Sequence, residues 1–478
     1  MQELTPRFQQ PRLGIDMINE TQSPSSIKSR LANTFKPYQW SFIGFLIIAA
    51  LIPKFYELSN TFWIGHISYE ALAITEQYEF LGVTIEIVNE TIPFGVLALV
   101  AQNYKNKEKI ISILKSGLII QLIFSSILMS IVVLFNPQFV STIGTPAEIV
   151  SLTRNYLLLK AIALPFDAIA VLLLITIKSM RRGRDVLYLV LFSVVLNMVL
   201  DLFLISNTSL SLHMGVEGAA IGYVISKIAL FLVTSAFTIR ILGLKRASFS
   251  LSKWNATARS IFSIGSWTGL DSLVRNVGYI LVPLNVLNII GANQYGGYGL
   301  AMTVMWTVII PVLAITEGTN IVVGNCYGEC NHKNIKKVIL TSLLLVSITM
   351  TAIAIGGAFF WNSLSTFFNQ NPVMVDYSTA TFWWLIIPYF LFALDMVLKS
   401  VFYGTGKTRY IFYISGFCNF ALIIPFWILA KLNLVTASFD SVMALFVIVF
   451  AVDLIITYFL VRRVLNKLGA IEIPAKAT

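Results

Sequence analysis

The chain has 478 residues, of which 57% are hydrophobic and 12% are charged, whereas about 25% are charged in an average soluble domain. This composition excludes an ordinary soluble protein, and the 34 Phe and 18 Tyr residues exclude a disordered one. The net charge of +11 would favour a nucleic-acid-binding protein only if the bases lay outside short loops between apolar segments.

Few residues belong to the types that build disulfide or metal sites. The three cysteines are too few for a disulfide framework, and His66, His213 and His332 are scattered along the chain. We therefore expect no catalytic residues of a metal or redox enzyme and no bound cofactor. A transported Na⁺ is the one metal ion that this composition leaves open.

Apolar segments long enough to cross about 30 Å of hydrocarbon begin at residue 38 and follow one another with short polar breaks. The preceding residues 1–37 are polar, contain five bases and lack the apolar core of a secretory signal. We expect this tail to remain in the cytoplasm. Twelve membrane-spanning helices are predicted, at residues 39–65, 72–101, 110–135, 149–177, 186–206, 216–239, 260–289, 298–325, 338–361, 377–402, 411–430 and 441–461.

The loops between these segments test the count of twelve. The first tail, the even-numbered loops and the segment after the last helix contain 25 Lys and Arg residues, whereas the odd-numbered loops contain only Lys431. This asymmetry is typical of cytoplasmic loops, so both termini are predicted to be cytoplasmic. Most of the positive charge is thereby explained without a nucleic-acid partner.

The second half of the sequence resembles the first at a shift of 223 residues. This shift aligns Gly95 with Gly318 and Pro165 with Pro388. An even number of predicted helices separates the copies, so both have the same orientation, which is typical of transporters with a central cleft. The predicted units are a tail at 1–37, a six-helix bundle at 38–239, a basic linker at 240–259, a second six-helix bundle at 260–465 and a short tail at 466–478.

Eleven acidic residues lie inside the predicted spans, where an ionised side chain facing lipid costs about 3 kcal/mol. Helical periodicity places Glu76, Glu79, Glu86 and Glu90 of the second span within an arc of about 80°. These side chains should face the bundle interior, although Glu76 and Glu79 would also fit the external membrane interface. Glu86 and Glu90 lie near the middle of the span, and we expect them to bind and release protons.

Two further groups of polar residues lie in the first half. Asn197 and Asp201 are one turn apart on one helical face and would coordinate a proton or Na⁺ together. Glu57 and Asn60 of the first span are three residues apart. These groups make the first half the predicted place of cation or proton coupling.

In the second half, acidic residues have bases four residues further along the same helix. Asp271 is followed by Arg275 and Asp395 by Lys399, a spacing that allows ion pairs. With Glu317, these residues are predicted to form ion pairs or to line a substrate cleft. The acids of the first half would remain unpaired. The alternative is that paired and unpaired acids alike only hold the helices together.

Several short motifs then point to one family, and they are spread over residues 40–465. They lie at residues 64–65 and 70–73, 95–102, 144–148 with Tyr156, 196–201, 215–221 and 404–408. Together they resemble the multidrug and toxic compound extrusion (MATE) family of secondary transporters. The resemblance implies a V-shaped pair of six-helix bundles that exports organic cations or amphipathic compounds by proton or sodium antiport.

The resemblance also implies a coupling site of carboxylates in the first bundle, which Asn197 and Asp201 match. Asn60 stands where the family usually has Asp, and Tyr223 where it usually has Thr. We expect that Glu57, or the two mid-span acids of the second helix, supplies the missing carboxylate.

Three alternatives remain: a flippase for a lipid-linked saccharide, a membrane-embedded enzyme and a membrane scaffold without transport activity. A flippase should line its cleft with bases and an enzyme should gather polar groups at one membrane face, whereas acids at mid-depth fit neither. The repeat argues against an enzyme and a scaffold. We therefore expect a monomeric multi-pass transporter of a bacterial inner (plasma) membrane, whose partners are a small-molecule substrate, H⁺ or Na⁺, and membrane lipids.

Overall fold

The structure, a computed structural model, describes residues 39–65, 69–142, 145–206, 209–244, 254–368 and 371–471. All secondary structure in these ranges is helical, which confirms the predicted all-α class. The predicted tail at 1–37, part of the linker at 240–259 and the last seven residues lie outside the described ranges.

The first half is organised around one central helix, α5, which packs against α2, α3 and α7, while α1 packs against α6. Its helices are α1 (Trp40–Gly65), α2 (Tyr69–Gln102), α3 (Lys107–Leu134), the short α4 (Asn136–Thr142), α5 (Val150–Ser179), α6 (Gly183–Leu204) and α7 (Gly215–Leu242).

The second half is organised in the same way around α13, which packs against α10, α11, α12 and α16. Its helices are α8 (Trp254–Tyr279), α9 (Asn288–Ile290), α10 (Ala292–Val308), α11 (Ile310–Gly328), α12 (His332–Phe368), α13 (Pro372–Thr405), α14 (Arg409–Cys418), α15 (Ile424–Lys431) and α16 (Phe439–Ile471). The central helices α5 and α13 begin 222 residues apart, at Val150 and Pro372, as the repeat predicts.

Three of the predicted continuous spans are interrupted. Residues 298–325 form two helices, α10 and α11, with a 50° bend just before Pro311, because proline cannot donate the backbone hydrogen bond that would continue the helix. Wider π-helical turns at Ile280–Leu287 and Asn419–Ile423 interrupt the spans at 260–289 and 411–430. Of the described helices, ten are long and apolar enough to cross a membrane, or eleven with the bent pair as one span. The count of twelve is therefore not confirmed.

The outer surface of the helices is strongly apolar. Phe359, Phe367 and Phe420 are 78%, 82% and 67% exposed, and exposed aromatic side chains of this number are typical of a surface in contact with lipid. Together with the long apolar helices, this surface describes an integral membrane protein with many spans.

The two halves contact each other from the basic loops to about the middle of the spans. Gly265 and Gly269 of α8 lie so close to Thr91 of α2 that a methyl group on either glycine would overlap it. Gly318 of α11 likewise lies against Ile43 of α1. Because glycine has no side chain, the backbones of α2 and α8 approach closely at Gly265, and side chains of the first half pack directly against Gly269 and Gly318.

Candidate functional site

The predicted pair on α6 lies inside the first half. Asp201 is 2% exposed and accepts a hydrogen bond from the hydroxyl of Tyr56 on α1 at 2.9 Å. Asn197, one turn earlier, accepts a hydrogen bond from the hydroxyl of Ser226 on α7 at 2.8 Å. The pair therefore lies where α1, α6 and α7 meet, and a neighbouring helix orients each side chain.

A cluster of lysines and tyrosines lies beside Asp201, and we call it the lysine–tyrosine cluster: Lys160, Lys227, Tyr78, Tyr156 and Tyr223. The ammonium of Lys160 lies 3.6 Å from the ring centroid of Tyr223, 4.7 Å from that of Tyr78 and 5.4 Å from that of Tyr156. It also acts on Asp201 electrostatically. Tyr223, the departure from the family pattern, thus contributes an aromatic face to this cluster.

Lys227 is the second base of this cluster, and it binds a carboxylate. Its ammonium lies 2.6 Å from Asp167 on α5 and 5.0 Å from the ring centroid of Tyr223. The sequence prediction missed both lysines, although a lysine inside an apolar span costs as much as an acid does and is an equally good signal.

The first-span residues Glu57 and Asn60 do not join Asp201. Glu57 is exposed and forms an ion pair with Lys54. Asn60 is partly buried, and in the described part of the chain it makes no hydrogen bond with Asp201. Tyr56 is the residue of α1 that contacts Asp201, so α1 supplies a neutral hydroxyl there and not a carboxylate.

The Lys54–Glu57 pair lies beyond the contact between α1 and the second half. Each residue lies eleven positions, about three helical turns, after Ile43 or Leu46, and therefore on the same face of α1. Ile43 and Leu46 are buried near Gly318 of α11, whereas the side chains of Lys54 and Glu57 are 44% and 57% exposed. On this face of α1, contact with the second half is therefore limited to the first turns of the helix.

Glu86 and Glu90 share a base from the other half. The guanidinium of Arg275 on α8 lies 2.8 Å from Glu90, 3.6 Å from Glu86 and 3.1 Å from Asp271 on its own helix. The predicted Asp271–Arg275 pair is confirmed. We call these four residues the Arg275 network.

The expectation that the first half keeps unpaired acids is wrong for four of them: Glu57, Glu86, Glu90 and Asp167. Arg275 pairs with two acids of α2, Lys54 with Glu57, and Lys227 with Asp167. Except for Lys54, these bases lie on other helices than their acids, so the spacing of residues along one helix does not reveal the pairs.

The second half contains a buried group of one base and two acids. The ammonium of Lys399 lies 2.7 Å from Asp395, the predicted partner, and 2.8 Å from Asp453 on α16. Asp395 and Lys399 are 2% and 7% exposed. Glu317, predicted to form an ion pair or to line a substrate cleft, forms an ion pair at 2.8 Å with Lys178 of the first half.

Metal-binding groups of three or more His, Cys, Asp or Glu side chains are absent from the described ranges. Cys326 and Cys330 remain free thiols.

Comparison with known proteins decides the family. The MatE family model matches residues 46–203 and 268–429, which together make up more than half of the chain. The chain belongs to the MATE family. The two matches begin 222 residues apart, in agreement with the repeat read from the sequence. MATE proteins are transporters and not enzymes.

Curated relatives of this MATE protein are distant in sequence. A protein of Thermotoga maritima named a probable multidrug resistance protein NorM is 22% identical, with 75% of this chain and 77% of the relative covered. The multidrug export protein MepA of Staphylococcus haemolyticus is 22% identical, with 76% and 80% covered.

A solved outward-facing structure of a multidrug resistance MATE family transporter has the same fold. It superposes with a TM-score of 0.80 at 18% identity, over 89% of this chain and 95% of the other. At this identity the likeness concerns the fold alone. The shared fold covers most of the chain.

Proposed function

We propose that this MATE protein exports organic cations or amphipathic compounds by antiport with H⁺ or Na⁺, and that Asp201 is the coupling carboxylate. One observation carries the assignment. Nine of the eleven acids in the predicted spans have side chains that the structure describes. Eight of these form ion pairs: Glu57, Glu86, Glu90, Asp167, Asp271, Glu317, Asp395 and Asp453. Asp201 is the ninth: within the described residues it has no base within 4.0 Å.

The physical reason is the cost of an isolated charge in a medium of low dielectric. A buried carboxylate without a counter-ion is unfavourable, and a proton or a small cation relieves that cost. The carboxylates of the Arg275 network and of the Lys399 group already have a base. Among the described residues, Asp201 has no base in ion-pair contact and accepts a hydrogen bond from the neutral hydroxyl of Tyr56. The ammonium of Lys160 acts on it only from a greater distance, so Asp201 gains most from an exchangeable cation.

The second part of the proposal concerns alternating access. The contacts between the halves extend from the basic loops to the middle of the spans, and the charge asymmetry favours a cytoplasmic position for these loops. We therefore infer that this conformation is closed towards the cytoplasm and open on the opposite side, with both termini cytoplasmic. A proton or Na⁺ entering from outside would reach Asp201, and its binding energy would favour the opposite conformation.

The remaining residues have supporting roles in this proposal. Glu86 and Glu90, held by Arg275 at the boundary between the halves, are proposed to exchange protons as the halves separate. The proposed protein works as a monomer of two six-helix bundles, residues 38–239 and 260–465, in a bacterial inner membrane.

Uptake of ethidium into inverted membrane vesicles tests the proposal. Export in the cell corresponds to uptake in such vesicles, so an acidic interior or a high interior Na⁺ concentration should drive it. We expect one of these gradients to accelerate uptake several-fold over vesicles without the protein. Uptake that responds to neither gradient would contradict antiport.

A further inference from the structure

Three tyrosines from three helices surround the ammonium of Lys160. Tyr78 lies on α2, Tyr156 on α5 and Tyr223 on α7, and their ring centroids are 3.6 to 5.4 Å from the ammonium. The rings of Tyr78 and Tyr156 stand at 88° to each other with centroids 6.3 Å apart. They form two perpendicular walls, and Tyr223 provides the third.

Such an arrangement has a defined chemical preference. The face of an aromatic ring carries partial negative charge, and several faces around one point form a cage that binds organic ammonium groups. The preference is strongest where water is excluded. Tyr156 is only 3% exposed, so part of the cage is shielded from water.

We propose that Tyr78, Tyr156 and Tyr223 form a binding site for a compact organic ammonium group, and that Lys160 is its tethered internal occupant. The lysine competes with the ammonium group of a substrate for the same three rings. The ammonium would leave the cage by rotation about the side-chain bonds of Lys160.

The position beside Asp201 links the cage to the coupling site. Lys160 acts on Asp201 through space, so a substrate that displaces its ammonium from the cage changes the charge that Asp201 experiences. Substrate and coupling ion would thus influence each other through one lysine. This inference deepens the proposed export function and depends on it for the class of substrate.

The cage is tested by equilibrium binding of tetramethylammonium to purified protein, in the absence of any ion gradient. Lys160→Ala removes the tethered ammonium and leaves room for the probe. We expect binding at least roughly tenfold tighter than in the unmodified protein, a factor within the range of cation–π energies in water-poor sites. Lys160→Arg keeps a cation on a flexible chain and should bind no more tightly than the unmodified protein.

Two double variants test whether the tyrosine rings cause the tighter binding of tetramethylammonium. Adding Tyr223→Phe to Lys160→Ala keeps the aromatic face and should retain the tighter binding, whereas adding Tyr223→Leu should abolish it. If Lys160→Ala does not fold, Lys160→Ser serves the same purpose. Unchanged binding in the folded alanine or serine variant, or a gain that survives Tyr223→Leu, would overturn the cage. Because no gradient is applied, such a failure would be distinct from a failure of antiport.

Discussion

At the scale of single residues, the guanidinium of Arg275 is the base for three carboxylates from two helices. Helical spacing identifies only one of these contacts, the one with Asp271. If Asp271 were the only partner of Arg275, removing both residues would destabilise the protein less than removing Asp271 alone. The structure reverses this expectation, because Glu86 and Glu90 would then lose their base as well.

We predict that Arg275→Ala lowers the free energy of unfolding by about 2 kcal/mol, which is more than the effect of Asp271→Ala. This is less than the 3 to 5 kcal/mol typical of a fully buried pair, because the side chain of Arg275 is 45% exposed. The double variant should be more stable than Arg275→Ala, because it also removes the unpaired carboxylate of Asp271. It should be less stable than Asp271→Ala, because Glu86 and Glu90 still lose their base. Thermal unfolding in detergent measures all three, and a double variant more stable than Asp271→Ala would show that Glu86 and Glu90 do not depend on Arg275.

A second residue-scale prediction concerns pH and a contact outside the membrane. Hydrogen bonds from Lys105 and then from the hydroxyl of Tyr104 lower the pKa of Glu329 below its ordinary value of 4.5. A lowered pKa in the folded state gives stability that is present above pH 4.5 and disappears as the pH falls through the folded-state pKa. The contact of Glu329 with Lys105 and Tyr104 joins the two halves. It should weaken in acid because protonation removes the charge of Glu329.

Glu329→Gln is expected to lower the unfolding temperature slightly at pH 7 and to have a smaller effect at pH 3. The side chains of Lys105 and Glu329 are 72% and 30% exposed, so water screens the pair and the difference should be small. Scans of the variant and the unmodified protein at both pH values provide the comparison. An equal difference at pH 3 would mean that the charge of Glu329 has no part in it.

At the scale of helices, each of the twelve predicted segments corresponds to helical structure, because long apolar segments and basic loops are strong local signals. The bend before Pro311 and the π-helical turns were not predicted, since proline is common in membrane helices and does not by itself indicate a kink. The site was predicted only in part: Asp201 and Asn197 follow from spacing on one helix. Tyr56, Lys160 and Lys227 reach them from other helices, and that packing has no local pattern.

The close approach of α2 and α8 leads to a prediction for one glycine. In Gly265→Ala the new methyl group would overlap the carbonyl oxygen of Thr91, so the helices must separate at a cost of about 1 to 3 kcal/mol. Gly356→Ala on α12 is the matched control, because no atom lies within 4 Å of its new methyl group. Unfolding temperatures should fall for Gly265→Ala only, and equal changes in the two variants would contradict this packing.

At the scale of the whole molecule, alternating access requires the contacts near the basic loops to break during each cycle. Cysteines replacing Lys105 and Glu329, which are in contact across the halves at 2.6 Å, should form a bridge with a short bifunctional reagent. In a background without the three native cysteines, that bridge should stop transport. Cysteines replacing Asn155 and Glu217, which are hydrogen bonded within the first half at 2.9 Å, provide the control.

Bridging the control pair should leave transport nearly unchanged, because both residues belong to the half that is proposed to move as one unit. Ethidium uptake before and after bridging measures both effects. Continued transport by protein bridged between Lys105→Cys and Glu329→Cys would show that the halves do not separate there.

The central claim, coupling at Asp201, is tested most directly by Asp201→Asn in proteoliposomes under the gradient that drives the unmodified protein. Asparagine keeps the shape and still accepts the hydrogen bond from Tyr56, but it has lost the exchangeable charge. The control is Asp185→Asn on the same helix, an acid that is already paired with Arg182. We predict that Asp201→Asn folds and exchanges substrate across the membrane but no longer accumulates it, while Asp185→Asn accumulates it normally. Normal accumulation by Asp201→Asn would contradict the account.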